Sequence, residues 1–235
     1  MSTLGIITAR SGSKGIKDKN IKQLNGKPLM AYTIESALQS HYIDETMVST
    51  DSEIYASIAK EYGANVPFIR SSKNATDMAK SMDVVFEVLD EYERRGKSFD
   101  NIVVLQPTSP LRTYINIDEA FKLFYEKVAD SVVSVCECEH SPLICNTLPT
   151  DLNLLSFVKS EYLNRRQDLE SYYRLNGAIY ISKVGVLRKL QTFYGKKSYA
   201  YIMGQRESVD IDTELDFEFV EFIMINKKTR FIAHR

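Results

Sequence analysis

Between Thr8 and Asn20 the chain sets Arg10, Lys14, Lys17 and Lys19 around Gly12 and Gly15, directly behind the apolar run Leu4-Gly5-Ile6-Ile7. Glycines let a backbone turn its N–H groups toward anionic oxygens, and the cations add forked and compact positive charge. Such a loop is built for a polyphosphate. Far along the chain, Asp210 and Asp212 flank Ile211. On extended backbone this spacing puts both carboxylates on one face and turns the isoleucine to the core. Two carboxylates on one face make a hard-oxygen site of the kind magnesium uses together with substrate phosphates and retained waters.

Each feature alone has a plainer explanation. The loop is equally well a surface turn with solvated charges, since charged residues are mostly exposed. The aspartates are equally well placed to favour the positive end of a following helix. Together they complement one another, because a nucleoside triphosphate normally arrives with magnesium and needs its phosphoryl charge neutralised. Two familiar phosphate motifs do not fit. A P-loop requires lysine after its second glycine and then a hydroxyl residue, whereas Lys14 precedes Gly15 and Ile16 follows it; a dinucleotide fingerprint requires a third glycine that is missing.

These residues need a scaffold, and the chain alternates short apolar runs with helical patterns, the signature of a largely parallel sheet flanked by helices. Strands are expected at 4–9, 45–50, 66–70, 102–105, 131–135, 178–181 and around 199–203. Helices are expected at 28–39, 51–62, 82–92, 115–124 and 184–190. Asp51 is expected to cap the second of these and Gly63 to end it. Thr213-Glu214-Leu215-Asp216 fits a capping box that opens a last helix through Ile225. The loop follows the first strand, where ligands of open α/β sheets bind. Two prolines force an ordered turn at Gln106-Pro107-Thr108-Ser109-Pro110-Leu111-Arg112. From about residue 140 to 173 the alternation breaks, which marks an insertion within a single domain spanning 1–235.

With 235 residues, 44% hydrophobic and 26% charged, the chain can bury a substantial core. A net charge of −1 argues against broad attraction to nucleic acid or membranes and makes the basic loop a local feature. No apolar stretch approaches the roughly 20 residues that span a bilayer, and the N-terminus lacks the pattern of an export signal, so a cytoplasmic protein is expected. Cys136, Cys138, His140 and Cys145 invite a zinc reading. Cys136 and Cys138 lie at a strand end without the turn of a zinc knuckle, and buried thiols acting as small hydrophobes are expected instead.

A run of ordered motifs extends the argument. Arg10-x-x-Ser13-Lys14-Gly15 with Lys19-Asn20, then Ser49-Thr50-Asp51, the Gln106 to Arg112 stretch, Arg174-Leu175-Asn176-Gly177-Ala178-Ile179-Tyr180 and Asp210-Ile211-Asp212-Thr213-Glu214 together resemble the acylneuraminate cytidylyltransferases, or CMP-sialic acid synthetases. The resemblance covers nearly the whole chain. It implies a Rossmann-like three-layer α/β/α nucleotidyltransferase fold with an inserted arm at about 140–173 that builds a homodimer. It also implies an activity: transfer of CMP from CTP to the anomeric hydroxyl of an N-acylneuraminate, with Mg2+ as cofactor and release of pyrophosphate.

The same resemblance distributes roles. Arg10, Lys14 and Lys19 would hold the triphosphate on the Ser13–Gly15 turn, with Asn20 and Ser81 contacting the nucleotide. Gln106 would bind the sugar, Arg165 or Arg166 its carboxylate, and Arg174, Asn176 and Tyr180 would complete the acceptor pocket. Asp210 and Asp212 would bind magnesium, with Asp212 also a candidate proton acceptor, although a metal-bound carboxylate is a poor base. One departure concerns the acceptor: many relatives carry lysine after an H-x-P motif, and here His140-Ser141-Pro142-Leu143-Ile144 places isoleucine there. Legionaminate, pseudaminate and ketodeoxyoctonate are therefore alternative acceptors, the last disfavoured because the first loop and the Asp210–Thr213 segment stand closer to the sialate branch. Two further classes remain in view: a non-catalytic sugar-nucleotide sensor, and uridylyl or guanylyl transfer to a sugar phosphate.

Overall fold

A computed structural model of the chain describes residues 1–13, 15–76, 78–159, 162 and 170–232, the side chains of 227–232 excepted. Its centre is a six-stranded sheet built from β1 (Thr3–Thr8), β4 (Glu45–Ser49), β5 (Asn101–Leu105), β6 (Ser131–Glu137), β7 (Tyr173–Lys183) and β8 (Ser198–Ile202), in the order β4-β1-β5-β7-β6-β8. β4, β1 and β5 run parallel, as do β6 and β8, while β7 is antiparallel to both neighbours. A small hairpin, β2 (Gln23–Leu24) with β3 (Lys27–Pro28), turns through Asn25 and Gly26, both at positive φ, as a two-residue turn requires.

The core strands carry continuous apolar runs because they are covered on both faces. Alternation splits each run between two layers. Ile7, Val103, Ile179 and Ile181 pack with α1 (Leu29–Gln39), α2 (Glu53–Glu61) and α4 (Tyr114–Glu126) through Met30, Ile34, Tyr55, Ala59, Ile117 and Phe121. Leu4, Ile6, Ile102 and Val104 face the opposite way onto α3 (Ser81–Arg94) and α5 (Val184–Leu190). The result is the expected three-layer α/β/α architecture. A third cluster joins Ile16 of the first loop, Leu24, Leu29 and Ile211 to Phe217 and Val220 of α6 (Glu214–Ile232). Ile211 is fully buried, as its spacing between the two aspartates predicts, so this cluster seats the basic loop and the aspartate pair on one foundation.

Several expectations need correction. Residues 66–70 form no strand. The segment leaves β4 after a single parallel bridge at Asn65, where Val48 N donates to Asn65 O and Asn65 N to Thr46 O (both 2.9 Å); farther on Arg70 N donates to Thr50 O (2.8 Å), and Pro67 has no N–H with which to build a ladder. α2 is capped by Ser52, which accepts from Tyr55 N, and not by Asp51. α6 continues past Ile225 to Ile232, although the capping box at its start is present, with Thr213 N and Oγ1 each donating to Asp216 at 2.7 Å. Gly63 does end α2 at φ +92. Cys136 is buried and Cys145 exposed, and among the described residues no cluster of three His, Cys, Asp or Glu is placed to hold a metal. Nor, among those residues, is any helix long and apolar enough to cross a membrane.

Candidate active site

The carboxyl ends of β1 and β5 open into a cavity of about 520 Å3. Its walls come from three directions. Thr8, Arg10, Ser13, Gly15, Lys19 and Asn20 descend from β1 and its loop, Gln106, Pro107 and Thr108 from β5, and Asp210 and Asp212 from the segment before α6. The loop and the aspartates meet backbone to backbone: a side-chain carbon on Gly15 would lie 2.6 Å from the carbonyl oxygen of Asp212. Lys19 fastens the same junction, its Nζ donating to Ile211 O at 2.6 Å and to Asp212 Oδ1 at 3.0 Å. Thr108 O accepts from Ile211 N at 2.9 Å, so the β5 turn holds the aspartate segment from the other side.

The two carboxylates differ in environment. Asp212 is largely exposed and paired with Lys19. Asp210 is half-buried; burial raises its pKa, a hydrogen bond from Thr108 opposes this, and the neighbouring charge of Asp212 adds to it. Its Oδ1 is buried without a hydrogen-bond partner. A buried, unpartnered carboxylate oxygen beside a second carboxylate fits a bound cation, which would supply the missing partner.

Arg10 also lines a smaller cavity of about 170 Å3 with Arg70, Asn74, Thr76 and Ser81. Ser81, the first residue of α3, shares that lining. Arg70 is buried beneath this cavity, with Nε donating to Ser49 Oγ at 2.9 Å and a close second contact to the Ser49 carbonyl. Burial lowers its pKa to about 10, against the attraction of Asp51 and Glu87, and the charge of Arg10 lowers it further. It still carries its charge at neutral pH, so two guanidinium groups face one small cavity. Asp51, freed from capping, accepts from Ser11 N and Ser11 Oγ, both at 2.7 Å, and so holds the start of the basic loop before Gly12 turns at φ +70.

The remaining expected residues divide. Gln106 lines the larger cavity, its amide resting against Gly177, which sits at φ +75. Tyr180 is half-buried against Phe193 and near enough to Asp210 that the carboxylate contributes to raising its pKa, after burial and Tyr194. Asn20 lines the cavity, but its Nδ2 donates to Arg10 O at 3.0 Å, and it is the buried Oδ1 that has no partner. Arg174, Asn176 and Tyr180 do not line it. Arg174 lies farther out along β7 in a two-point ion pair with Glu139, Nη2 to Oε1 at 2.7 Å. Asn176 points into the core, where Ser134 and Ser208 take up its amide. Lys14, Arg165 and Arg166 lie outside the described residues.

Three contributors escape the sequence reading as site residues: Arg70, Thr108 and Arg112. Arg112 is fully buried, donating through Nη1 to Gln106 O (3.1 Å) and Ala178 O (2.9 Å) and through Nη2 to Thr33 Oγ1 (2.6 Å). Burial lowers its pKa to about 9. It braces the β5 turn against β7. Thr108 and Arg112 stand inside the double-proline motif, which marks them; nothing local marks Arg70.

A family model described as Cytidylyltransferase matches residues 4–230. The chain belongs to the cytidylyltransferase family. This cytidylyltransferase is 38% identical over 231 residues to the CMP-N,N'-diacetyllegionaminic acid synthase of Legionella pneumophila, covering 95% of this chain and 97% of that protein. It is 39% identical over 219 residues to the N-acylneuraminate cytidylyltransferase of Streptococcus agalactiae, covering 92% of this chain but only 52% of that protein, so it spans about half the streptococcal length. Its fold is also that of a CMP:2-keto-3-deoxy-manno-octonic acid synthetase solved in complex with CTP, with a TM-score of 0.72 at 17% identity over 97% of this chain and 100% of the other.

Proposed function

We propose that this nucleotidyltransferase activates a nine-carbon 2-keto sugar acid with CTP, the anomeric hydroxyl attacking the α-phosphorus and pyrophosphate leaving. The observation that carries the reading is the meeting of the basic loop and the Asp210/Asp212 pair in one cavity, joined by Lys19. A triphosphate laid from Ser13 toward Lys19 puts its phosphates between cations and carboxylates. The second cavity, lined by Arg70 and Ser81, adjoins Arg10 where the nucleoside would lie. Gln106, on the far wall, faces the position of the acceptor.

An alcohol is a weak nucleophile at neutral pH, so the chain's contribution is alignment and charge. Arg10, Lys14 and Lys19 neutralise phosphate oxygens, and backbone N–H groups of the loop orient them. Asp210 and Asp212 would hold Mg2+, which when bound neutralises charge on the triphosphate and its departing pyrophosphate. Arg165 or Arg166 would supply a planar fork for the sugar carboxylate. The first choice of acceptor is N-acetylneuraminate. A diacetamido acid such as legionaminate is the second, left open by Ile144 and favoured by end-to-end similarity to the Legionella enzyme. A homodimer through the segment of about 140–173 belongs to the same reading.

The test is pyrophosphate release with CTP, UTP, GTP and ATP, each crossed with N-acetylneuraminate, legionaminate, pseudaminate and ketodeoxyoctonate, with and without magnesium. Turnover is expected with CTP and a nine-carbon acid, and only with the metal. Equal rates with the other nucleotides, or no turnover with any acid, would sink the reading.

A further inference from the structure

We propose that Asn176 is a positioning residue that sets Gln106 and Asp210 together, tying the acceptor side of the site to its cation side. The inference rests on the function proposed above. Its starting point is that the side chain has nothing left to offer a ligand. Oδ1 accepts from Ser134 Oγ at 2.6 Å and from Ala178 N at 3.2 Å, while Nδ2 donates to Ser208 Oγ at 2.8 Å and contacts Met203 Sδ at 3.3 Å. Two acceptor sites and two donors are the full capacity of an amide. The orientation is unambiguous, because the Ala178 N–H can only donate and so selects the oxygen.

Each half of that amide reaches one half of the site. On the oxygen side, the bond from Ala178 N fixes the peptide that follows Gly177, and Gly177 is the surface on which Gln106 rests: a side-chain carbon there would stand 2.4 Å from Gln106 Oε1. On the nitrogen side, Ser208 is fully buried, donates to Gly204 O at 2.7 Å, and stands two residues before Asp210. Removing the amide therefore frees the turn under Gln106 and the approach to Asp210 at once. Removing only the Ser208 hydroxyl frees the second alone.

The experiment compares the parent protein with Asn176→Ala and Ser208→Ala. Melting by circular dichroism establishes that each is folded, Mn2+ binding in the presence of CTP is followed by calorimetry, and separate KM values are taken for CTP and the sugar acid. Asn176→Ala is expected to weaken Mn2+ at least fivefold and raise the sugar-acid KM at least fivefold, with the CTP KM within twofold. Ser208→Ala is expected to weaken Mn2+ and leave the sugar-acid KM unchanged. A simple packing defect would move all three quantities together, and that result overturns the proposal. Unchanged Mn2+ affinity in a folded Ser208→Ala protein also overturns it, even if Asn176→Ala fails to fold, as does a parent that binds no Mn2+. A parent that binds Mn2+ with CTP yet turns over no sugar acid defeats the proposed function, and the Mn2+ comparison between variants then decides this inference separately.

Discussion

Asp210 keeps one carboxylate oxygen buried and unpartnered, and burial raises its pKa in the folded chain. The sign matters. A carboxylate whose folded pKa lies above its unfolded value of about 3.9 costs the fold stability once both states are ionised, and costs nothing below the unfolded value. Asp210→Asn should therefore raise stability at pH 7.5 by on the order of 1 kcal/mol, with the gain fading as the pH falls through the raised folded pKa and absent below the unfolded value of about 4. The same change should lower the rate of pyrophosphate release by roughly 10²-fold or more. Urea unfolding at the two pH values and a rate assay check both halves. A variant that is less stable, or that retains most of its rate, would contradict the assignment of Asp210 as a cation ligand.

At the level of elements, the carboxyl end of β4 acts on the basic loop through Asp51. Burial works to raise the pKa of this carboxyl, but the hydrogen bonds from Ser11 outweigh burial and hold it below the usual range. Its stabilising contribution is thus complete above the ordinary carboxylate pKa and disappears as the pH falls through the depressed value. Asp51→Asn should cost about 2 kcal/mol near neutral pH, and the difference in melting from the parent should close as the pH falls through that depressed value. It should also raise the KM for CTP, since Arg10 and Gly12 flank the anchored Ser11. A melting difference that stays constant with pH would refute this role.

Asp51 also shows where local reading stops. One residue before a helix, a carboxylate there suits a cap; its actual partner lies 40 residues away, and only the parallel pairing of β1 with β4 brings the two together. Arg70 is illegible for the same reason, being placed by a segment that follows β4 without joining the sheet. Asn176 is assigned to the acceptor pocket by the resemblance alone, and a matching motif names a residue without saying which way its side chain turns; in β7 it faces the core beside an irregular pairing, where β6 and β7 shift register between Val133 and Val135. By contrast Ile211 between its aspartates, the Thr213–Asp216 box and the apolar β5 were legible, because spacing along the chain alone decides them.

For the molecule as a whole, the segment between β6 and β7 exposes Leu148, Leu152, Leu154 and Leu155, the last at 91%. So many large apolar side chains in one exposed segment suit the contact surface that the proposed homodimer needs. Sedimentation equilibrium should give a dimer at micromolar concentration, and Leu152→Glu with Leu155→Glu should shift it toward monomer; a parent that sediments as a monomer would defeat the proposed assembly.

The place of β7 also governs how the chain is made. It sits between β5 and β6, yet it is synthesised after both, with the whole inserted segment in between. During translation, then, the β4-β1-β5 half can assemble early, but one edge of β5, whose five residues are all buried in the finished protein, stays open until Lys183 has left the ribosome. A chain stopped anywhere from Leu105 to Tyr173 carries an apolar strand edge ready to pair with another copy of itself.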